Sequence, residues 1–186
     1  MSTRTIPPDR RAHAAAETVP GRSANRDGAL MPLWRRPGFL VRRLHQIHGA
    51  MFAEECASFD ITPVQYAVMT TLAHQPDCDQ NSLAVEVGLD RTNAADVLRR
   101  LARQGLVLRR ASGLDRRRVL SRLTPRGTTI LEAMQGAMVR AQQRLVAPLA
   151  AVEREQFLAT MLKLIEANDP TLPPRRANGR PTQAQK

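Results

Sequence analysis

The sequence predicts a mainly α-helical domain that carries one small β-hairpin. Three observations predict it. Apolar residues recur at helical spacing through most of residues 37–169. Polar caps, prolines and glycines punctuate that span at helix-length intervals. Between Leu106 and Leu123 the period shifts to near two, around the turn sequence "GLD".

The 186 residues suffice for one ordinary domain. Residues 1–36 are rich in Pro, Ala, Arg and Ser and read as a mostly disordered basic extension, apart from the helix-prone stretch "RRAHAAAET". Residues 170–186 read as a disordered basic tail. The span 37–169 is the single folded unit.

That unit opens with "PGFLVRRLHQIHGAMFAEECASF", where Leu40, Leu44, Ile47 and Met51 make an apolar stripe, predicting a helix over about 37–58. In "DITPVQYAVMTTLAHQ", Thr62 is the N-cap, Pro63 takes the first helical position and Gln65 completes a capping box. Val64, Ala67, Val68, Thr71 and Leu72 are its buried stripe. A short helix follows, capped by Asp79 and stopped by Gly88, with Leu83, Ala84 and Val87 inward. Asp90 caps the next helix, which runs to about Gln104 and ends at Gly105. Two short helices joined by a glycine-containing turn make a helix-turn-helix. "LVLRRAS" and "RRVLSRL" form the hairpin, or wing, so the winged helix-turn-helix spans about 62–124. Thr124-Pro125 starts a long helix through about Val146, with Ile130, Leu131, Met134, Met138 and Leu145 apolar. Pro148 interrupts it, and a last helix follows with Phe157, Met161, Leu164 and Ile165 on one side. The outer helices, 37–58 and 125–168, are too few to bury their own stripes, which predicts a homodimer.

Charge is distributed unevenly. The net charge is +11, yet residues 90–127 alone hold eleven arginines against three acidic residues, while the rest of the folded unit holds six basic residues against eleven acidic ones. A body that is acidic except for one basic block points to a polyanion met on one face, although charge runs are commonly just solvated surface. Nearly all the cations are arginine, which allows planar, bidentate contacts.

Other function classes find little support. There is no P-loop, GxGxxG or HExxH, so an enzyme is not expected and no cofactor is implied. Cys56 and Cys78 lack metal-type spacing, and His45 with His48 lacks a third ligand, so no metal site is expected. With no run of eighteen apolar residues and no signal-type segment, the expectation is a cytoplasmic protein without a membrane partner.

On a helical wheel of the second motif helix, Ala94, Val97, Leu98 and Leu101 face the core. Thr92, Asn93, Asp96, Arg99, Arg100 and Arg103 lie opposite, with Arg91 at the N-terminal end. Such a face suits base edges in a major groove of double-stranded DNA: asparagine for adenine, arginine for guanine or phosphate. Asp96 either accepts from cytosine or orients Arg99 or Arg100. At the wing tip Arg116, Arg117 and Arg118 suit a narrow minor groove. Alternation of faces sends one or two of them to DNA and leaves one to pair with Asp115.

The assembly resembles the MarR family of bacterial transcriptional regulators. "DITPVQYAVMTTLA", "QNSLAVEVGLDRTNAADVLRRLARQGLVLRR" and "DRRRVLSRLTPRG" carry the resemblance; the last looks like the family's wing signature, and the match covers about residues 37–168. The resemblance implies a homodimer with interlocked terminal helices, repression of nearby genes, and release by a small, often phenolic or aromatic-acid, ligand. It places the ligand between the dimer helices and the winged unit. The operator is then expected to be palindromic, with half-sites one turn apart.

In the first helix, "RRLHQIH" supplies Arg42, Arg43, His45 and His48. An arginine there can take a carboxylate and a histidine a ring hydroxyl, with Phe52 and Tyr66 as apolar walls. Some family members that sense aromatic acids have a similar "RR…H" in this helix. The plainer alternative is that these side chains pair across the dimer or face water, and that the aromatics are core. A second function class is an architectural DNA-binding protein with no small ligand, distinguished by whether an aromatic acid alters stability and DNA affinity together.

Overall fold

In the computed structural model, residues 31–113 and 118–171 are described. They form α1 (Pro37–Glu55), α2 (Pro63–His74), β1 (Cys78–Asp79), α3 (Gln80–Val87), α4 (Arg91–Arg103), β2 (Val107–Ala111), β3 (Val119–Leu123), α5 (Pro125–Val146) and α6 (Ala151–Asn168). This is a winged helix-turn-helix within a mainly helical chain.

Local chemistry sets the helix starts. The Thr62 hydroxyl accepts from the Gln65 amide at 3.2 Å, and Gln65 Oε1 accepts from the Thr62 amide at 2.8 Å, completing the capping box. Asp79 accepts from the Asn81 and Ser82 amides, Asp90 from Asn93, and Thr124 from Gly127. Each such cap satisfies amides that the helix would otherwise leave unpaired. Gly88, at φ 71°, closes α3 in the left-handed region that a side chain disfavours, and so sets the sharp turn into α4.

The wing is one strand richer than a hairpin. β1 joins it, giving an antiparallel sheet in the order β1-β3-β2. Val107 pairs with Leu123, Arg109 with Ser121 and Ala111 with Val119, while Cys78 pairs with Ser121 and Asp79 with Leu120. A two-residue strand carries no periodicity of its own, so nothing local announces β1.

The core gathers Phe52, Val68, Met69, Leu72, Leu83, Leu98, Leu101, Leu106, Val107, Leu131 and Met134, joining α1 to α5 with the root of the wing. The α2 stripe is rotated from the expected one: Met69 and Gln65 are buried and Val64 is exposed, because the capping box turns Gln65 inward. The outer helices are largely bare. Phe52 is the buried residue of α1, with Leu40, Val41 and Ile47 exposed. No residue of α6 is buried, and Val152, Leu158, Met161, Leu164 and Ile165 are exposed. The first helix also ends earlier than expected, at Glu55, with a single 3-10 turn over Ala57–Phe59.

Candidate nucleic-acid interface

α4 is seated by Ala94, Leu98 and Leu101, all fully buried, with Val97 half-buried beside them. That anchoring leaves Arg91, Thr92, Asn93, Arg99, Arg100 and Arg103 exposed and Asp96 half-buried. Asn93 donates through both its amide and its side-chain Nδ2 to the Asp90 carboxylate, which holds that carboxyl below its ordinary range. Asp96 pairs with Arg99 at 2.7 Å. Arg100 and Arg103 line an open groove of about 390 Å³ with Asp60, Thr62, Gln65 and Gln104.

Much of the remaining arginine block braces the wing. Directly paired residues share a face of a sheet, and faces alternate along a strand. Arg110, Arg118 and Arg122 therefore fall on the face that β1 flanks with aspartates. Asp77 receives Arg110 at 3.1 Å and Arg122 at 2.6 Å. Asp79 receives Arg118 at 2.5 Å. Asp77 holds a left-handed backbone at φ 60°, a region aspartate tolerates better than most residues. On the opposite face, Arg109 donates to Gln80 Oε1 at 3.2 Å, and Gln80 Nε2 donates to the Arg91 carbonyl at 3.3 Å. Arg116 and Arg117, with Asp115, lie outside the described residues. Arg118 is described, and its partner is Asp79.

These pairs have a pH signature. Burial pushes the Asp79 carboxyl up, but Arg118 and the Ser82 and Asn81 donors outweigh it and hold the group at about 2, against an ordinary 3.8. The Arg122 bond likewise holds Asp77 below its ordinary range. A depressed folded-state value means stability that is present above the unfolded value and lost as pH falls through the folded one. Asp79→Asn is thus expected to be less stable than the wild type near neutral pH, with the gap closing between about pH 4 and pH 2. Acid titrations followed by circular dichroism check this; a gap that stays constant with pH would remove the ion pair from the account.

On the first helix, Arg42, Arg43 and His45 are exposed, and Arg43 donates to Gln46 at 3.3 Å. His48 is half-buried, with Nε2 3.4 Å from Gln142 Nε2 on α5. Phe52 is 2% exposed and sits in the core, edge-on to half-buried Tyr66 at 6.2 Å between centroids. Arg42, His45, His48 and Phe52 thus follow one stripe from solvent to the α1–α2 contact. Below it, Glu54 and Glu55 pair with Arg144, and Glu55 with Arg140, tying α1 to α5. Burial raises the thiols of Cys56 and Cys78 above their ordinary value, the opposite of what a reactive thiolate needs.

The same arrangement occurs in known proteins. The family model described as "MarR family" matches residues 61–119, from the start of α2 into the wing. A putative transcriptional regulatory protein for the hcr operon of Thauera aromatica is 30% identical over 135 residues, which cover 72% of this chain and 81% of that one. The chain belongs to the MarR family.

Two solved MarR-like structures extend the comparison. The PcaV transcriptional regulator from Streptomyces coelicolor, solved in complex with its natural ligand, is 35% identical, with a TM-score of 0.71 over 76% of this chain and 99% of that one. BpsR from Bordetella bronchiseptica, whose DNA binding is regulated by 6-hydroxynicotinic acid, is 26% identical, with a TM-score of 0.72 over 75% of this chain and all of the other. As a MarR-family member, this protein is a DNA-binding transcriptional regulator with a winged helix, and no described helix is long and apolar enough to cross a membrane. Sequence reasoning placed α4 and the wing correctly but missed Gln80 and Arg109 as the bridge between them, and Asp77, Arg110 and Arg122 as the brace between the wing and the segment before α3. Their partners lie 11 to 45 residues apart, and no local pattern links them.

Proposed function

We propose that this protein is a homodimeric repressor, released from a palindromic operator when a small aromatic acid binds beside α1. Residues 37–169 act as one unit, with α4 in the major groove through Arg91, Thr92, Asn93, Asp96, Arg99 and Arg100. The wing reaches the adjacent minor groove through Arg116 and Arg117, with Arg118 at its edge. The observation that carries this reading is the exposed face of α4, polar at its N-terminal end and cationic through Arg91, Arg99, Arg100 and Arg103, on a helix whose other side is seated in the core by Ala94, Leu98 and Leu101. The bare apolar faces of α1 and α6 supply the surface for a second copy.

The ligand reading rests on the stripe Arg42, His45, His48, with Arg43 alongside, ending beside half-buried Tyr66, with Phe52 in the core behind it. A carboxylate suits the arginine end and a ring suits the aromatic end. The likeness to BpsR, regulated by an aromatic acid, and to PcaV, solved with its natural ligand, supports it. A ligand there bridges the dimer frame and the winged unit, and releases DNA only through different affinities for two spacings of the recognition helices. A tenfold loss of DNA affinity needs about 1.4 kcal/mol of coupling, within reach of one charge-assisted pair.

The test uses a duplex selected from random sequence by the wild-type protein. Hydroxybenzoic and hydroxynicotinic acids are titrated into protein alone and into the complex. Arg42→Ala is expected to abolish the ligand response and keep DNA binding, whereas Asn93→Ala is expected to weaken DNA binding and keep the ligand. If no such acid binds the wild type, the ligand half of the reading fails; an unchanged Asn93→Ala would remove that residue from base reading.

A further inference from the structure

We propose that Gln80 is a positioning residue that locks the wing to the recognition helix, so that the two DNA-contacting elements move as one rigid piece. The inference rests on the reading of α4 and the wing as those elements. Gln80 is the first residue of α3, yet its carboxamide serves neither α3 nor its cap. Its oxygen accepts from Arg109 of β2 at 3.2 Å, and its nitrogen donates to the carbonyl of Arg91, the first residue of α4, at 3.3 Å. A single planar group thereby joins strand and helix, and only a carboxamide presents a donor and an acceptor of that kind together.

Covalent connection cannot do this. The chain links α4 to β2 at the C-terminal end of α4, and Arg91 lies about 20 Å away along a helix of this length. The end that meets base edges is thus, along the chain, the end remote from the wing. The neighbouring ion pairs, Arg110 and Arg122 on Asp77 and Arg118 on Asp79, hold the wing to the segment before α3. Gln80 carries that hold across to α4. Among the described residues, the buried Arg109 Nε has no hydrogen-bond partner, so losing Gln80 leaves that guanidinium still less satisfied. A wing that swings independently of α4 must be ordered separately on DNA, and that cost falls only on the complex in which both elements are seated at once.

The experiment measures binding of the full chain to the duplex it selects from random sequence and to a scrambled duplex of equal composition, alongside thermal melting. Gln80→Ala is expected to lower affinity for the selected duplex about tenfold. Affinity for the scrambled duplex and the salt slope should hold, because no cation is removed. Gln80→Glu separates positioning from stability. It keeps the acceptor for Arg109 and suits the start of a helix, but sets an oxygen against the Arg91 carbonyl. It should melt at or above the wild type and still lose discrimination. In an Arg109→Ala background, Gln80→Ala should add little further loss. Full discrimination by Gln80→Glu, or equal weakening on both duplexes in step with melting, would overturn the proposal alone. A wild type that does not distinguish the two duplexes would overturn the reading of α4 as well.

Discussion

Gly127→Ala is expected to destabilise the fold by about 3 kcal/mol and to lower the melting temperature by roughly 6–12 °C. Two opposing effects decide the sign. Gly127 sits in the first turn of α5, where alanine is the better helix former by about 1 kcal/mol. A Cβ there, however, would lie 2.2 Å from the carbonyl oxygen of Leu106 and 3.1 Å from its carbon. Those are backbone atoms, so no rotamer change relieves the contact. Neither side can retreat easily. Leu106 and Val107 are buried, and the same Leu106 carbonyl accepts from the Thr124 amide at 3.0 Å. Thr124 in turn caps α5 and donates its hydroxyl to the Gly105 carbonyl at 2.7 Å. The start of the wing and the start of α5 are thus laced together at the point the methyl group would enter. Differential scanning calorimetry checks the value. A melting temperature within about 2 °C of the wild type would show that the crossing relaxes, and that helix propensity outweighs the clash.

The proposed homodimer predicts that the double variant Leu158→Glu, Ile165→Glu is monomeric and binds operator DNA at least a hundredfold more weakly. These residues lie two turns apart on α6 with Met161 between them, and all three are exposed within the chain. Burying a leucine-sized side chain is worth about 1.5–3 kcal/mol, so an interface built on this face loses most of its driving force when charges replace it. Because no residue of α6 is buried in its own chain, the winged unit should keep its helical spectrum. Loss of the second recognition helix then removes half of the DNA contacts and the entropic advantage of making them together. Sedimentation velocity and a fluorescence titration decide it. If the variant remains a dimer with full affinity, α6 is not the shared surface.

The two variants probe different scales of the structure, and the sequence was legible on only one of them. Thr62, Asp79, Asp90 and Thr124 announce their helices because a cap and its amides lie within three residues. Gly88 and the change of period after Gly105 mark the turn and the wing for the same reason. The basic block was visible too, and so was the outward face of α4, since both follow from spacing along the chain. The allocation of that charge was not. Arg118 belongs with Asp79 at a separation of 39 residues, and Arg122 with Asp77 at 45. Phe52 reads equally well as a pocket wall or as core, until packing against Tyr66 and closure of the α1–α2 contact leave it 2% exposed.

By itself, then, the sequence determined what short-range physics controls: where helices begin and stop, which face of α4 is apolar, and that positive charge concentrates on one supersecondary unit. The tertiary structure alone decided which of those arginines are committed to bracing the wing and which remain exposed on α4. Only the fold brings β1 beside β3, and with it the two aspartates and Gln80 that receive the wing. The reason is that an ion pair or a bridging amide is set by distance in space, and a chain pattern with a period of two or 3.6 residues carries no record of partners brought together by loop closure.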